Sequence, residues 1–151
     1  MSEAARSTFV YVTYIRTSAE TLWSALLKPE FTKQYWYGME MISDWKPGAS
    51  WKLVFADGRV GDMGEVLEIE PPRRLVIRWH NEFRPELKAE GPAQCTFDLE
   101  PSGDVVKLTI THSSVKADSK LIVAVSGGWP KILSNLKTLL ETGKPMATEK
   151  L

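Results

Sequence analysis

The chain has 151 residues, which is the length of one compact domain. Its 19 lysines and arginines balance 19 aspartates and glutamates, so the net charge is zero and the basic surface of a nucleic-acid-binding protein is excluded. The single cysteine excludes an internal disulfide and a zinc site built on paired thiolates. Six tryptophans against two histidines favour a protein that encloses a molecule over one that reacts with it.

The chain begins with eight mostly polar residues, MSEAARST, which lack the apolar stretch of a signal peptide. No apolar run approaches the roughly 20 residues that cross a bilayer. We therefore expect a cytoplasmic protein without a membrane partner, in which residues 1–8 form a flexible N-terminus.

The next segment predicts one strand and two short helices. Residues 9–16 are rich in β-branched and aromatic side chains, as strands are. Thr17 and Glu20 fit a capping box at the start of a helix that Pro29 terminates. A second short helix is expected at residues 30–36.

Between residues 39 and 114, apolar residues recur at every second position, which is typical of strands with one buried face. Turn signals, among them Asp-Gly at 57–58 and Pro-Pro at 71–72, divide the segment into about six strands. Residues 61–64, GDMG, indicate a bulge or a close backbone approach. The carboxylates of this region are mostly out of phase with the apolar positions, and we expect them on the solvated face of the sheet: Asp62, Glu65, Glu68, Glu70, Asp98 and Glu100.

The last third of the chain returns to helical periodicity. Residues 129–140 carry an apolar stripe at helical spacing, and Gly143 stands where a C-terminal cap is expected. A shorter helix is expected at 118–125, because Gly-Gly at 127–128 and Pro130 predict a break or a kink before the main helix.

This order of elements resembles the helix-grip fold of the START-like superfamily, also called SRPBCC or birch-pollen-allergen-like. The motifs are similar to those of the family named after the activator of heat-shock chaperone ATPase: YIRTSAETLWSALL at 14–27, EFTKQYWYG at 30–38, GEVLEIEPPRRLVIRW at 64–79 and SGGWPKILSNLKTLLETG at 126–143.

The resemblance implies an α+β helix-grip fold. A curved antiparallel sheet of six to seven strands would wrap around a long C-terminal helix, with two short helices after the first strand. The expected single domain covers residues 9–145, and residues 146–151 would form a flexible tail. Lipid and hormone carriers, polyketide cyclases and chaperone cofactors share this scaffold, so the function depends on the site.

The inward apolar positions and the aromatic segment after the second helix predict a cavity between the sheet and the C-terminal helix. Its predicted ligand-binding residues are Trp36, Met39, Trp45, Trp51, Leu53, Phe55, Ile77, Trp79, Phe97, Ile110, His112, Trp129 and Leu133. The alternative is a solid core, because protein interiors are close-packed.

His112 is the one histidine expected inside the cavity, where it could bind a ligand or act as an acid or base. The alternative, which we favour, is a core histidine satisfied by backbone or a nearby hydroxyl. Cys95 lies among apolar residues and is expected to be a small buried hydrophobe. No metal-ligand pattern and no glycine-rich phosphate loop occur, so no metal and no cofactor are expected.

These observations favour a non-enzymatic protein that binds a small apolar or aromatic molecule. A polyketide cyclase- or dehydratase-like enzyme, with His112 or Glu82 as acid or base, is the first alternative. The second is a modulator of a chaperone ATPase that acts through protein interaction, and a homodimer is also compatible with the sequence.

Overall fold

The computed structural model describes residues 6–150. Its strands are β1 (Ser7–Ile15), β2 (Glu40–Ser43), β3 (Ser50–Val54), β4 (Val60–Glu70), β5 (Arg74–Asn81), β6 (Ala93–Ser102) and β7 (Val105–Ser114). Its helices are α1 (Ala19–Leu27), α2 (Pro29–Tyr35), α3 (Pro85–Lys88) and α4 (Lys120–Thr142).

The seven strands form one antiparallel sheet in the order β1-β7-β6-β5-β4-β3-β2. The sheet is open and curved, with the short helices α1 and α2 after its first strand and the long helix α4 at the end of the chain. The predicted α+β helix-grip fold is therefore confirmed. No helix among residues 6–150 is long and apolar enough to span a membrane.

The N-terminal elements differ from the predicted ones in their starting points. β1 begins at Ser7 rather than at residue 9, and Ser7 pairs with Ser114 of β7. Ser18, not Thr17, caps α1, since its side chain accepts a hydrogen bond from the amide of Thr21 at 3.1 Å. Both residues are good N-caps, so the sequence alone leaves a choice of one position.

α4 is a single helix, so of the break or kink predicted between residues 118–125 and 129–140, the break is wrong. Gly127, Gly128 and Pro130 are weak helix formers, but all three lie inside the helix. Apolar residues such as Trp129 and Leu133 are buried along it, and such packing supplies most of the stability of a helix in a protein. Gly143 caps its C-terminus with φ of 90°, as expected.

A close backbone approach fixes the position of β4, as the GDMG segment predicts. Gly64 lies between Trp51 of β3 and Trp79 of β5, and a Cβ on Gly64 would lie 1.8 Å from the carbonyl oxygen of Arg78. The indole N–H of Trp51 donates to the same oxygen at 2.9 Å. Only glycine fits at this position.

The register around Gly64 places Asp62 on the inner face of the sheet. Asp62 pairs with Leu53 on β3 and with Asn81 on β5, and all three side chains are buried. This corrects the expectation that Asp62 lies on the solvated face. The register of β4 shifts between Val66 and Glu68, and this irregularity changes which residues face inward on its two sides.

Candidate functional site

A pocket of about 690 Å³ lies between one end of the sheet, α3 and the N-terminal half of α4. The segment after α2 contributes Trp36, Tyr37 and Met39. β4, β5 and the turn after β3 contribute Phe55, Asp62, Trp79 and Asn81, and the loop after β5 together with α3 contributes Phe83, Arg84 and Leu87. The helix and the C-terminal segment contribute Leu121, Ala124, Val125, Gly127, Gly128, Trp129, Lys131, Ile132, Thr148, Glu149 and Lys150. This volume falls in the range of about 300–1,000 Å³ that small-molecule sites occupy.

Aromatic side chains form the inner wall of the pocket. The ring centroid of Trp129 lies 5.4 Å from that of Trp36 and 5.9 Å from that of Trp79. Trp51 packs behind Trp79 at 4.9 Å. The indole N–H groups of Trp51, Trp79 and Trp129 all donate to acceptors of the protein. The rings of Trp79 and Trp129 therefore present apolar surface rather than free donors to the pocket.

The structure brings five of the thirteen predicted ligand-binding residues to the pocket wall: Trp36, Met39, Phe55, Trp79 and Trp129. The other eight do not line it: Trp45, Trp51, Leu53, Ile77, Phe97, Ile110, His112 and Leu133. Except for Trp45, which is half-buried after β2, they are buried core side chains. The solid-core alternative therefore describes the middle of the sheet, and the space lies at one end of α4.

His112 is a core residue, as the favoured alternative has it, and it does not line the pocket. Its side chain is fully buried, and Nδ1 accepts a hydrogen bond from the indole N–H of Trp129 at 3.1 Å. Burial lowers the pKa of His112 to about 3, so the imidazole is neutral and its proton is on Nε2. Nε2 has no hydrogen-bond partner among residues 6–150.

Asp62 is the site residue that the sequence analysis missed. Only 7% of it is exposed, and its Oδ1 accepts hydrogen bonds from the Trp79 indole at 2.9 Å and from the Asn81 amide at 3.1 Å. No hydrogen bond from residues 6–150 reaches Oδ2. Burial raises the pKa of Asp62 to about 6, against the opposing effect of the two hydrogen bonds. The signal in the sequence is Gly64, which must face two tryptophans and so turns residue 62 inward.

The loop after β5 closes one side of the pocket. Asn81 accepts a hydrogen bond from the backbone N–H of Arg84 at 2.9 Å through its Oδ1, which positions the loop beside Asp62. Glu82, a predicted candidate acid, is paired with Lys88 at 3.1 Å and does not line the pocket.

Tyr37 lines the pocket in an uncommon backbone conformation. Its φ is 53°, in the left-handed region that non-glycine residues rarely adopt. Its hydroxyl is buried and has no hydrogen-bond partner among residues 6–150. Buried polar groups are normally paired, so this hydroxyl is an unsatisfied group in the wall.

The C-terminal segment lies at the mouth of the pocket. The fully buried Asn135 of α4 donates to the carbonyl of Ala147 and accepts from its amide, both at 2.7 Å. Thr148, Glu149 and Lys150 follow this contact and line the pocket. The tail that the sequence analysis expected to be flexible is thus hydrogen-bonded to α4 at Ala147.

α4 presents bare backbone to the pocket at two adjacent positions. A Cβ on Gly127 or Gly128 would meet no atom within 4 Å other than the helix itself. Neither glycine has a positive φ. The Gly-Gly pair, at which the sequence predicts a break or a kink, therefore lies in a continuous helix beside open space.

Residues 16–141 match the family model described as Activator of Hsp90 ATPase homolog 1-like protein. The chain belongs to this family. The resemblance drawn from the sequence motifs is confirmed, and the match covers α1 to most of α4.

Solved structures share the fold of this AHSA1-like chain. CalU16 from Micromonospora echinospora is 23% identical with a TM-score of 0.72, over 91% of this chain and 76% of CalU16. Protein MLL2253 from Mesorhizobium loti is 26% identical with a TM-score of 0.73, over 89% and 97%. The Aha1 dimer from Colwellia psychrerythraea is 19% identical with a TM-score of 0.73, over 91% and 98%. No curated protein sequence matches the chain.

Among residues 6–150, the carboxylate buried in the pocket wall is that of Asp62. Within residues 6–150, no three His, Cys, Asp or Glu side chains cluster as metal ligands. Cys95 is fully buried, and burial raises the pKa of its thiol, so it is an unreactive core residue. The arrangement is suited to holding an apolar body against the tryptophans and one polar group against Asp62.

Proposed function

We propose that this AHSA1-like protein binds a small, mainly apolar or aromatic molecule in the pocket between the sheet, α3 and α4. The observation that carries the proposal is the wall formed by Trp36, Trp79 and Trp129 around a space of about 690 Å³. Concave apolar spaces with a few polar groups are the usual form of a small-molecule site. His112 and Glu82 lie outside the wall, so nothing in the geometry favours them as catalytic residues.

The experiment is a titration with N-phenyl-1-naphthylamine, a neutral probe that becomes fluorescent in apolar surroundings. We expect a saturable rise in its fluorescence with one site per chain. Gly128→Leu places a side chain in the open space and should weaken binding by about tenfold or more. Val123→Leu, on an exposed part of α4 outside the pocket, is the matched control and should leave binding within about twofold.

Two results would refute the proposal. One is fluorescence that rises linearly with probe concentration, as in nonspecific adsorption. The other is saturable binding that Gly128→Leu does not weaken, because the probe would then occupy a different place.

Modulation of a chaperone ATPase is a second candidate function, favoured by the family to which the chain belongs. Val10, Val12 and Tyr14 on the outer face of β1 are 55%, 42% and 52% exposed and supply an apolar surface for a protein partner. The test is the ATPase rate of an Hsp90-type chaperone with and without this protein. A rate increase that the double variant Val10→Glu with Val12→Glu abolishes would support this function, and an unchanged rate would contradict it.

A further inference from the structure

The carboxylate of Asp62 is buried in the pocket wall without a cationic partner. None of the ion pairs within residues 6–150 includes Asp62. The charged side chain that acts on it is Glu82, which has the same sign. The pocket wall also holds three cationic side chains, those of Arg84, Lys131 and Lys150. The Arg84 guanidinium pairs with Glu86 at 2.9 Å, and none of the three is among the groups that shift the pKa of Asp62. Burying a charge is costly unless the charge is paired, so Asp62 lacks the partner that such groups normally have.

We propose that the ligand of this pocket is an organic cation, an apolar or aromatic body carrying a protonated amine that binds Oδ2 of Asp62. This inference rests on the proposed function, since it names the chemical class of the molecule that the same pocket would hold.

The hydrogen bonds of Asp62 direct the ligand to one oxygen. Oδ1 already accepts from Trp79 and Asn81, whereas Oδ2 accepts from no residue in the range 6–150. An ionised carboxylate is an acceptor only, so the group that binds Oδ2 must be a donor. The pKa of Asp62 is raised to about 6, so the carboxyl is mainly ionised at pH 7.

The surrounding rings favour a cationic donor over a neutral one. Trp36, Trp79 and Trp129 lie on the same wall as Asp62. Tryptophan faces attract cations, and this attraction is larger where water is excluded. A neutral alcohol would satisfy Oδ2 but leave the buried negative charge uncompensated. An ammonium group satisfies the oxygen and neutralises the charge together.

The test compares three molecules with one aromatic body at pH 7.5: 2-(1-naphthyl)ethylamine, 2-(1-naphthyl)ethanol and 1-ethylnaphthalene. Each is titrated against protein loaded with N-phenyl-1-naphthylamine, and displacement gives its affinity. We expect the amine to bind about tenfold or more tightly than the hydrocarbon, with the alcohol between them. Asp62→Asn should bring the affinity for the amine to within about twofold of the affinity for the hydrocarbon in the same variant.

Glu82→Gln is the matched control, since it removes a nearby negative charge from a residue outside the pocket wall. It should keep most of the preference for the amine. Equal affinity for the amine and the hydrocarbon in the wild-type protein would overturn the inference while the proposed function stands. A preference for the amine that Asp62→Asn retains would also overturn it. Failure of N-phenyl-1-naphthylamine itself to bind would refute the proposed function, and the inference with it.

Discussion

Replacing Asp62 with asparagine should stabilise the protein at neutral pH. The pKa of this carboxyl is about 6 in the folded protein, compared with 3.8 as the ordinary value. Between these two pH values Asp62 is mainly ionised in the unfolded chain but mainly protonated in the folded protein. The stability of the wild-type protein therefore falls as the pH rises from 4 to 6. Each pKa unit corresponds to about 1.4 kcal/mol, so the ionised carboxylate destabilises the fold by roughly 3 kcal/mol at pH 7.5.

Asparagine has nearly the shape of the protonated carboxyl, and its carbonyl can accept from the Trp79 indole and the Asn81 amide as Oδ1 does. Asp62→Asn should therefore be more stable than the wild type by roughly 2–3 kcal/mol at pH 7.5. The advantage should shrink through pH 6 and 5 and vanish near pH 4, where the wild-type carboxyl is protonated. The effects of other titrating groups, His112 included, cancel in this difference.

The assay is urea unfolding of both proteins at pH 4, 5, 6 and 7.5. Asp44→Asn, at an exposed position after β2, is the control for loss of one negative charge and should change the free energy of unfolding by under about 0.5 kcal/mol at each pH. A destabilised Asp62→Asn protein at pH 7.5 would refute the reasoning. So would a difference that is the same at pH 4 and pH 7.5, since it could not come from ionisation.

Three further predictions concern the packing around the site. Gly64→Ala should lower the free energy of unfolding in urea by about 3 kcal/mol or more, because its Cβ would lie 1.8 Å from the carbonyl oxygen of Arg78. A loss of stability under about 1 kcal/mol would contradict this close approach. His112 should remain neutral at pH 5 with its proton on Nε2, because its pKa is about 3; imidazole ¹⁵N shifts that titrate near pH 6.5 would contradict its burial. Gly127→Ala should raise the melting temperature by about 2–4 °C, because its Cβ meets no atom within 4 Å and alanine favours the helix; a lower melting temperature would contradict the unobstructed geometry.

The periodicity of the sequence was sufficient to place most of the sheet. Trp51 and Trp79 lie inward as the alternation predicts. Asp62 was misplaced because the alternation is counted along a continuous strand. If β4 alternates without interruption from the half-buried Ile69, its odd-numbered residues face inward. The register shift between Val66 and Glu68 reverses this alternation, so that even-numbered residues face inward before the shift. A bulge of this kind depends on pairing with the neighbouring strand, so apolar alternation along one strand does not show it.

The position of the pocket could not be predicted from the sequence, for a related reason. Alternation indicates which face of a strand is buried, but it does not indicate which part of the helix touches that face. Leu133 and Leu136 are buried in the core, whereas the helix carries glycine at 127 and 128 and leaves a space there. The glycine pair was visible in the sequence, but its effect depends on the sheet that the helix faces.

The most direct test of the central claim, that the pocket binds an apolar molecule, is to follow the indole N–H signals of the tryptophans by ¹H–¹⁵N NMR. N-phenyl-1-naphthylamine is added in steps, since its rings shift the signals of nearby groups. The account predicts saturable shifts for Trp36, Trp79 and Trp129, which line the pocket, and unchanged signals for Trp23 and Trp45, which do not. Unchanged signals for all of them, or equal shifts for residues inside and outside the pocket, would contradict it.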